Sequence, residues 1–239
     1  KTVVFEKRHF RLRFVYIKRI CALGMASCFN QLAMTVVQVT LNNTLRHYGA
    51  LSLYGSEIPL AAVGVISKIN VVFMAFTVGT AQGCQPIHGF NYGAKNYDRV
   101  KQTYKLAITI TTIAATIAFI AFQCFPRQII GIFGSGSEAY FAFATKYLRT
   151  YMFMTFTNGI QPVTHNFFTS IGKAKTGMLV SLTRQVIFLL PLILTLPAIF
   201  GIDGVMYAGP IADTAAALVA IFLVVREMKR IDVLKALEG

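Results

Sequence analysis

Six long apolar stretches fill almost the whole of this 239-residue chain, and the basic residues gather on alternate connections between them. The stretches cover residues 20–45, 58–90, 106–125, 140–171, 178–200 and 205–225. Each is long enough for a helix to cross about 30 Å of hydrocarbon, which takes roughly 20 mainly apolar residues. They are too long for barrel strands and lack the two-residue alternation that such strands need. The expected fold is an all-α polytopic membrane protein with six transmembrane helices. Composition agrees: with 55% hydrophobic and 13% charged residues, a soluble domain could not cover its surface.

Most of the 23 basic residues fall into four groups. Lys1, Lys7, Arg8, Arg11, Arg13, Lys18 and Arg19 precede the first stretch; Lys95, Arg99, Lys101 and Lys105 lie between the second and third. Lys173 and Lys175 lie between the fourth and fifth, and Arg226, Lys229, Arg230 and Lys235 follow the sixth. The positive-inside rule puts all four groups, and both termini, in the cytoplasm of a cell (plasma) membrane protein. The net charge of +14 then needs no nucleic acid, and membrane lipid is the expected partner of the basic tails. The expected organisation is a basic linker or interfacial segment over residues 1–19, a six-helix lobe over 20–228 and a cytoplasmic tail over 229–239. Lys1 is not an initiator methionine, and the basic lead-in reads as a linker from something upstream, so the chain is expected to be a fragment. Cys21, Cys28, Cys84 and Cys124 show no paired spacing and predict neither disulfide nor metal site.

Polar residues inside the stretches are the candidate functional groups. Gln31, Thr35, Gln38 and Asn42 recur at spacings that put them on one face of the first helix. Tyr147, Tyr151, Asn158, Gln161 and His165 form a comparable stripe in the fourth. Such side chains are costly toward lipid, so both stripes should face protein or a water-filled cavity. Hydrogen bonding between helices and lining of a substrate cavity both satisfy that demand. The two tyrosines add ring faces suited to organic cations.

Lys68 and Asp213 each lie about ten residues, and so roughly 15 Å, into their stretches. Charges at that depth are rare, and usually paired or functional. An ion pair between them, static or working as a proton-linked switch, is the expectation. Arg184 lies nearer the cytoplasmic end and is expected to snorkel. Pro162 and Pro191 interrupt the fourth and fifth stretches, and Pro86 lies between two Gly-x-x-x-Gly spacings, Gly79–Gly83 and Gly89–Gly93. No cofactor is expected, and no enzyme: the chain has no zinc-protease, serine-hydrolase or nucleotide-loop motif.

The run Gly79-Thr-Ala-Gln-Gly-Cys-Gln-Pro-Ile-His-Gly-Phe-Asn-Tyr-Gly-Ala-Lys-Asn-Tyr-Asp-Arg-Val-Lys101 resembles the second-helix segment of a repeat in the multidrug and toxic compound extrusion (MATE) family. Gly172-Lys-Ala-Lys, Leu182-Thr-Arg-Gln-Val-Ile-Phe-Leu-Leu-Pro191 and Gly201-Ile-Asp-Gly-Val205, leading to Pro210-Ile-Ala-Asp213, extend the likeness in order along the chain. Members of that family are twelve-helix antiporters of two six-helix lobes around a central cleft. The resemblance therefore implies one lobe, the C-terminal one, of a secondary multidrug efflux antiporter. It would export cationic or amphipathic compounds in exchange for H+ or Na+ by alternating access. Its partner would be the missing N-terminal lobe, or a second copy of the chain. The resemblance also implies that the first, second and fourth helices line the cleft, which adds Asn70 to Gln31, Thr35, Gln38, Asn42, Tyr147, Tyr151 and Asn158. Some sodium-coupled members carry carboxylates on the helices matching the first and fourth stretches. This chain has no Asp or Glu between Arg13 and Gly49 or between Phe141 and Ile171. That departure favours H+ over Na+, with coupling on an acid in the other lobe and Asp213 as the local alternative. A lipid-linked glycan flippase of the same wider superfamily, and a non-transporting scaffold or channel-like subunit, are the competing readings.

Overall fold

Inside hydrocarbon each backbone N–H and C=O must be paired within the chain, and the apolar runs meet that demand as helices. The computed structural model describes residues 14–238. In order come α1 (Phe14–Ala50), α2 (Glu57–Gly93), α3 (Tyr97–Cys124), α4 (Pro126–Phe133), α5 (Glu138–Tyr151), α6 (Ile160–Ser170), α7 (Ala174–Leu182), α8 (Leu190–Phe200) and α9 (Ile202–Glu238). A 3-10 turn at Thr155–Thr157 joins α5 to α6, and a π-helical segment at Thr183–Leu189 joins α7 to α8. Six rods result, matching the six apolar stretches. Glu57–Gly93, Tyr97–Cys124, Ala174–Phe200 and Ile202–Leu237 are each long and apolar enough to cross a membrane. α1 has the length, at 37 residues, and its uncharged run over residues 20–37 is mainly apolar. The fourth rod is split, so neither piece reaches span length by itself.

Both distortions lie one turn before a proline, not at it. A proline at position i donates no hydrogen bond to the carbonyl at i−4 and pushes against it. Pro162 sits in the first turn of α6, and the chain is irregular from Met152 to Gly159. Pro191 opens α8, and the π segment precedes it. The fourth stretch is thus two helices around an irregular joint, a correction to the single span expected over 140–171. The expected tail is helical over its described residues. α9 continues unbroken through residues 229–238, and the exposed Lys101–Asp232 and Lys235–Asp98 ion pairs join it to the start of α3. Residues 1–13 of the expected linker lie outside the described residues, and residues 14–19 already belong to α1.

Apolar burial drives helices together weakly in lipid, where close packing of small residues does most of the work. Ala62, Ala81, Ala144, Ala208, Ala212 and Ala220 are buried accordingly. Of the two glycine pairs, Gly89 meets α6, its Cβ position 3.3 Å from the Ser170 carbonyl, whereas Gly79 and Gly83 face open space. Larger side chains fill two cores. Leu45, Ile66, Phe143, Leu148, Ile193 and Met206 hold one end, and Phe167, Phe168, Val180 and Ile231 hold the end carrying the basic connections. Ile113, Ile117, Ile120, Leu194, Ile199 and Phe222 point outward and are exposed, as a lipid-facing surface requires.

Candidate functional site

Between α1, α2, the α5–α6 joint and the π segment lies a cleft of two chambers. The chamber nearer the basic end, about 320 Å³, is lined by amides: Asn30, Asn70, Gln82, Asn158, Gln161, Asn166 and Gln185, with His165 and Ser181. The other, about 350 Å³, is more apolar, with Val37, Leu41, Val63, Ile66, Tyr147 and Tyr151. Met34, Asn70, Met74, Val78, Arg184 and Gln185 border both. Thioether side chains at such a waist adapt to irregular shapes.

Arg184 is the group at the waist that the sequence misplaced. It does not snorkel: its side chain is 19% exposed and its Nε donates to Asp213 Oδ1 at 2.5 Å. The rod begins at Ala174, four residues before the expected start, which puts Arg184 roughly 15 Å in. The π segment widens the turn it stands on, the kind of local distortion that recurs at functional sites. Asp213 is 3% exposed, so neither charge stands alone in the low-dielectric interior. Tyr151 borders the same chamber as Arg184. Tyr151 stacks on Tyr147, ring centroids 5.1 Å apart and planes 17° apart. Gly209 on α9 makes room for the Tyr151 ring; a Cβ there would lie 2.7 Å from it.

The pairing expected between Lys68 and Asp213 is therefore replaced by Arg184–Asp213. Lys68 is exposed and enters no ion pair among the described residues. Of the α1 stripe, Gln38 borders the apolar chamber, and its Nε2 donates to Asn42 Oδ1 at 3.2 Å. Gln31 and Thr35 are exposed, and the Thr35 hydroxyl donates to the Gln31 carbonyl at 3.0 Å. Those two and Asn42 border neither chamber; they stand roughly a quarter turn around α1 from the face formed by Asn30, Met34, Val37 and Leu41. Asn70, Tyr147, Tyr151, Asn158 and Gln161 all line the cleft. Gln161 Nε2 donates to the Val180 carbonyl at 2.9 Å, and a His165 ring nitrogen meets the Gly177 carbonyl at 2.8 Å. Asn30, which the spacing argument passed over, accepts from the Ser181 hydroxyl at 2.8 Å. Two buried polar atoms on the cleft, Asn70 Oδ1 and the Tyr147 hydroxyl, have no protein partner. Buried polar groups are nearly always paired, which makes these two atoms candidate contact points in the cleft.

Comparison with known proteins interprets this arrangement. The family model MatE matches residues 26–195. The chain belongs to the MatE family. The multidrug export protein MepA of Staphylococcus aureus (strain bovine RF122 / ET3-1) is 23% identical over 93% of this chain and 48% of its own length. MepA of Staphylococcus saprophyticus is 26% identical over 92% and 47%. This MatE chain thus spans about half the length of the curated relatives it matches. Solved structures agree on the fold. The outward-facing conformation of a multidrug resistance MATE family transporter matches 96% of this chain and 50% of its own, with TM-score 0.82 and 19% identity. An inward-facing conformation matches 95% and 51%, also at TM-score 0.82. The MatE bundle is therefore an all-helical membrane lobe built like half of a MATE transporter, and its relatives are transporters.

Proposed function

We propose that this chain is the C-terminal lobe of a secondary multidrug efflux antiporter, exporting cationic or amphipathic compounds in exchange for H+. The observation that carries the reading is the two-chambered cleft with the Arg184–Asp213–Tyr151 cluster at its waist. Amides and methionines give the cleft wide tolerance, since they supply either hydrogen-bonding sense and adaptable apolar contact. The tyrosine pair offers ring area to flat aromatic cations. Asp213 is the coupling acid of this lobe. When it takes up a proton, Arg184 loses its counter-charge and the waist rearranges; when the proton leaves, the pair re-forms.

The half-length match and the exposed stripe of Gln31 and Thr35 support a second lobe facing α1, either the other half of a longer chain or a second copy. Equal likeness to outward- and inward-facing transporters supports a lobe that moves as a body during alternating access. The basic clusters support both termini in the cytoplasm. Arg184 in the cleft is the one feature favouring a flippase for phosphate-linked lipids, and its pairing with Asp213 weakens that case.

The test is transport. Proteoliposomes holding the protein are loaded with a fluorescent lipophilic cation, and an opposing pH gradient is imposed. Dye movement that stops on adding a protonophore is the expected result. Dye movement unaffected by proton and sodium gradients, or passive ion conductance without it, would overturn the antiporter reading.

A further inference from the structure

A second cavity, which shares no lining residue with the cleft, lies where α6 and α7 meet α9 at the basic end of the bundle. It measures about 370 Å³ and is lined by Phe168, Lys173, Thr176, Leu223, Arg226, Glu227 and Arg230. Leu223, Arg226, Glu227 and Arg230 share one face of α9 by their three- and four-residue spacing. Lys173 and Glu227 are joined by an ion pair in the wall, where the Glu227 side chain is only 8% exposed. That pair is neutral, which leaves the two guanidiniums as the charge of the cavity.

Three features set this place apart from an ordinary basic helix end. Arg226 and Arg230 enter no ion pair among the described residues, while Lys235 on the same helix is paired with Asp98. Glu227 Oε1 is buried and has no hydrogen-bond partner, although its other oxygen is taken by Lys173. The floor is apolar, through Phe168 and Leu223. Phe222, exposed one turn before Arg226, continues that apolar surface toward the hydrocarbon.

We propose that this cavity binds the headgroup of phosphatidylglycerol. The phosphate lies between Arg226 and Arg230, whose planar donor forks match its oxygens. A hydroxyl of the headgroup glycerol donates to Glu227 Oε1 and satisfies the orphaned acceptor. The acyl chains run along the apolar face of α9 past Phe222. A headgroup lacking the donor leaves Glu227 unsatisfied, and one whose phosphate is balanced by a quaternary ammonium gains less from the two arginines. The site needs only that the bundle spans a membrane, so efflux can fail without touching it.

Native mass spectrometry of the protein in mild detergent, titrated with phosphatidylglycerol or phosphatidylcholine, tests the assignment. One tightly held phosphatidylglycerol and no matching phosphatidylcholine is the expected result. The exposed pair R226Q/R230Q should weaken retention roughly 30-fold, from about one favourable contribution lost per arginine. K229Q, on the same helix but outside the cavity, should leave it unchanged. Equal retention of both lipids, or a K229Q loss as large as that of R226Q/R230Q, would overturn the proposal. So would inorganic phosphate that binds at millimolar concentration and displaces the lipid, which would make the cavity a free-phosphate site.

Discussion

Arg184 and Asp213 meet at 2.5 Å across the joint between the π segment and α9, with the carboxylate sealed behind the guanidinium and the guanidinium open to the cleft. The order of the two matters. Arg184 borders both chambers and Asp213 neither, so under the proposed antiport a ligand would meet the cation while a proton acts on the acid behind it. Coupling between sites needs an element with two arrangements that each ligand biases differently. A pair that exists only when Asp213 is ionised is such an element.

The consequence for stability separates the pair from a simple packing contact. Asp213→Ala leaves a guanidinium without its counter-charge, which should cost about 3 kcal/mol, the low end for a broken buried pair because Arg184 keeps some contact with the cleft. Replacing both residues in R184M/D213L should recover most of that loss, since an apolar pair needs no desolvation. Thermal unfolding in detergent measures both. Transport should be lost in both, so recovery of stability without recovery of transport identifies the pair as functional. A double variant that transports like the parent would remove Asp213 from the coupling role.

Much of the bundle was legible because length and apolar character nearly decide a membrane rod. Each of the six stretches corresponds to one rod, though α3 starts nine residues early and α9 runs thirteen residues on; α4 was missed because eight residues between two spans carry no signal of that kind. Depth was legible for Lys68 and Asp213 but not for Arg184, and azimuth was legible for none of them. Lys68 and Asp213 lie at similar depth, but depth says nothing about which way a side chain points, and Lys68 points away from the buried acid. The partner it was given instead, Arg184, is 29 residues from Asp213 along the chain. Its aim depends on the π turn, which the proline seven residues later imposes. The α1 stripe shows the same limit. Its spacing puts four residues on one face, but only the neighbouring helices decide that Asn30 and Met34 look into the cleft and that Gln31 and Thr35 look out.

Acid should weaken the connection between α4 and α5 in a defined way. The Arg127 guanidinium donates two hydrogen bonds to Glu138, at 2.8 and 2.6 Å, and by those bonds and then by its charge it holds the Glu138 carboxyl below its usual 4.5. A depressed carboxyl stabilises the fold above its unfolded value and loses that contribution as pH falls through the folded one. Both side chains are exposed, so the effect is small and salt-sensitive. The expected result is a thermal midpoint difference between the parent and Arg127→Gln at pH 7 that shrinks and vanishes as pH falls through the lowered titration range of Glu138. A difference that persists in acid would assign the contribution of Arg127 to its stacking over the Phe141 ring, 5.2 Å from the centroid.

Gly209 tests whether the tyrosine at the waist is held by its neighbours or merely fills space. A Cβ at this position would stand 2.7 Å from two Tyr151 ring carbons, nearer than carbon atoms approach without displacement. The ring cannot retreat freely, because Tyr147 stacks on it. Gly209→Ala should therefore cost about 1–3 kcal/mol, the usual range for overpacking, and should shift affinity for aromatic cations that use the Tyr151 face. In a Tyr151→Ala background the same substitution meets no ring and should cost nothing beyond error. Residues in direct contact give such non-additive cycles, and distant ones do not. Additive costs in this cycle would mean that α9 moves to admit the methyl group, and that Tyr151 owes its position to α5 alone.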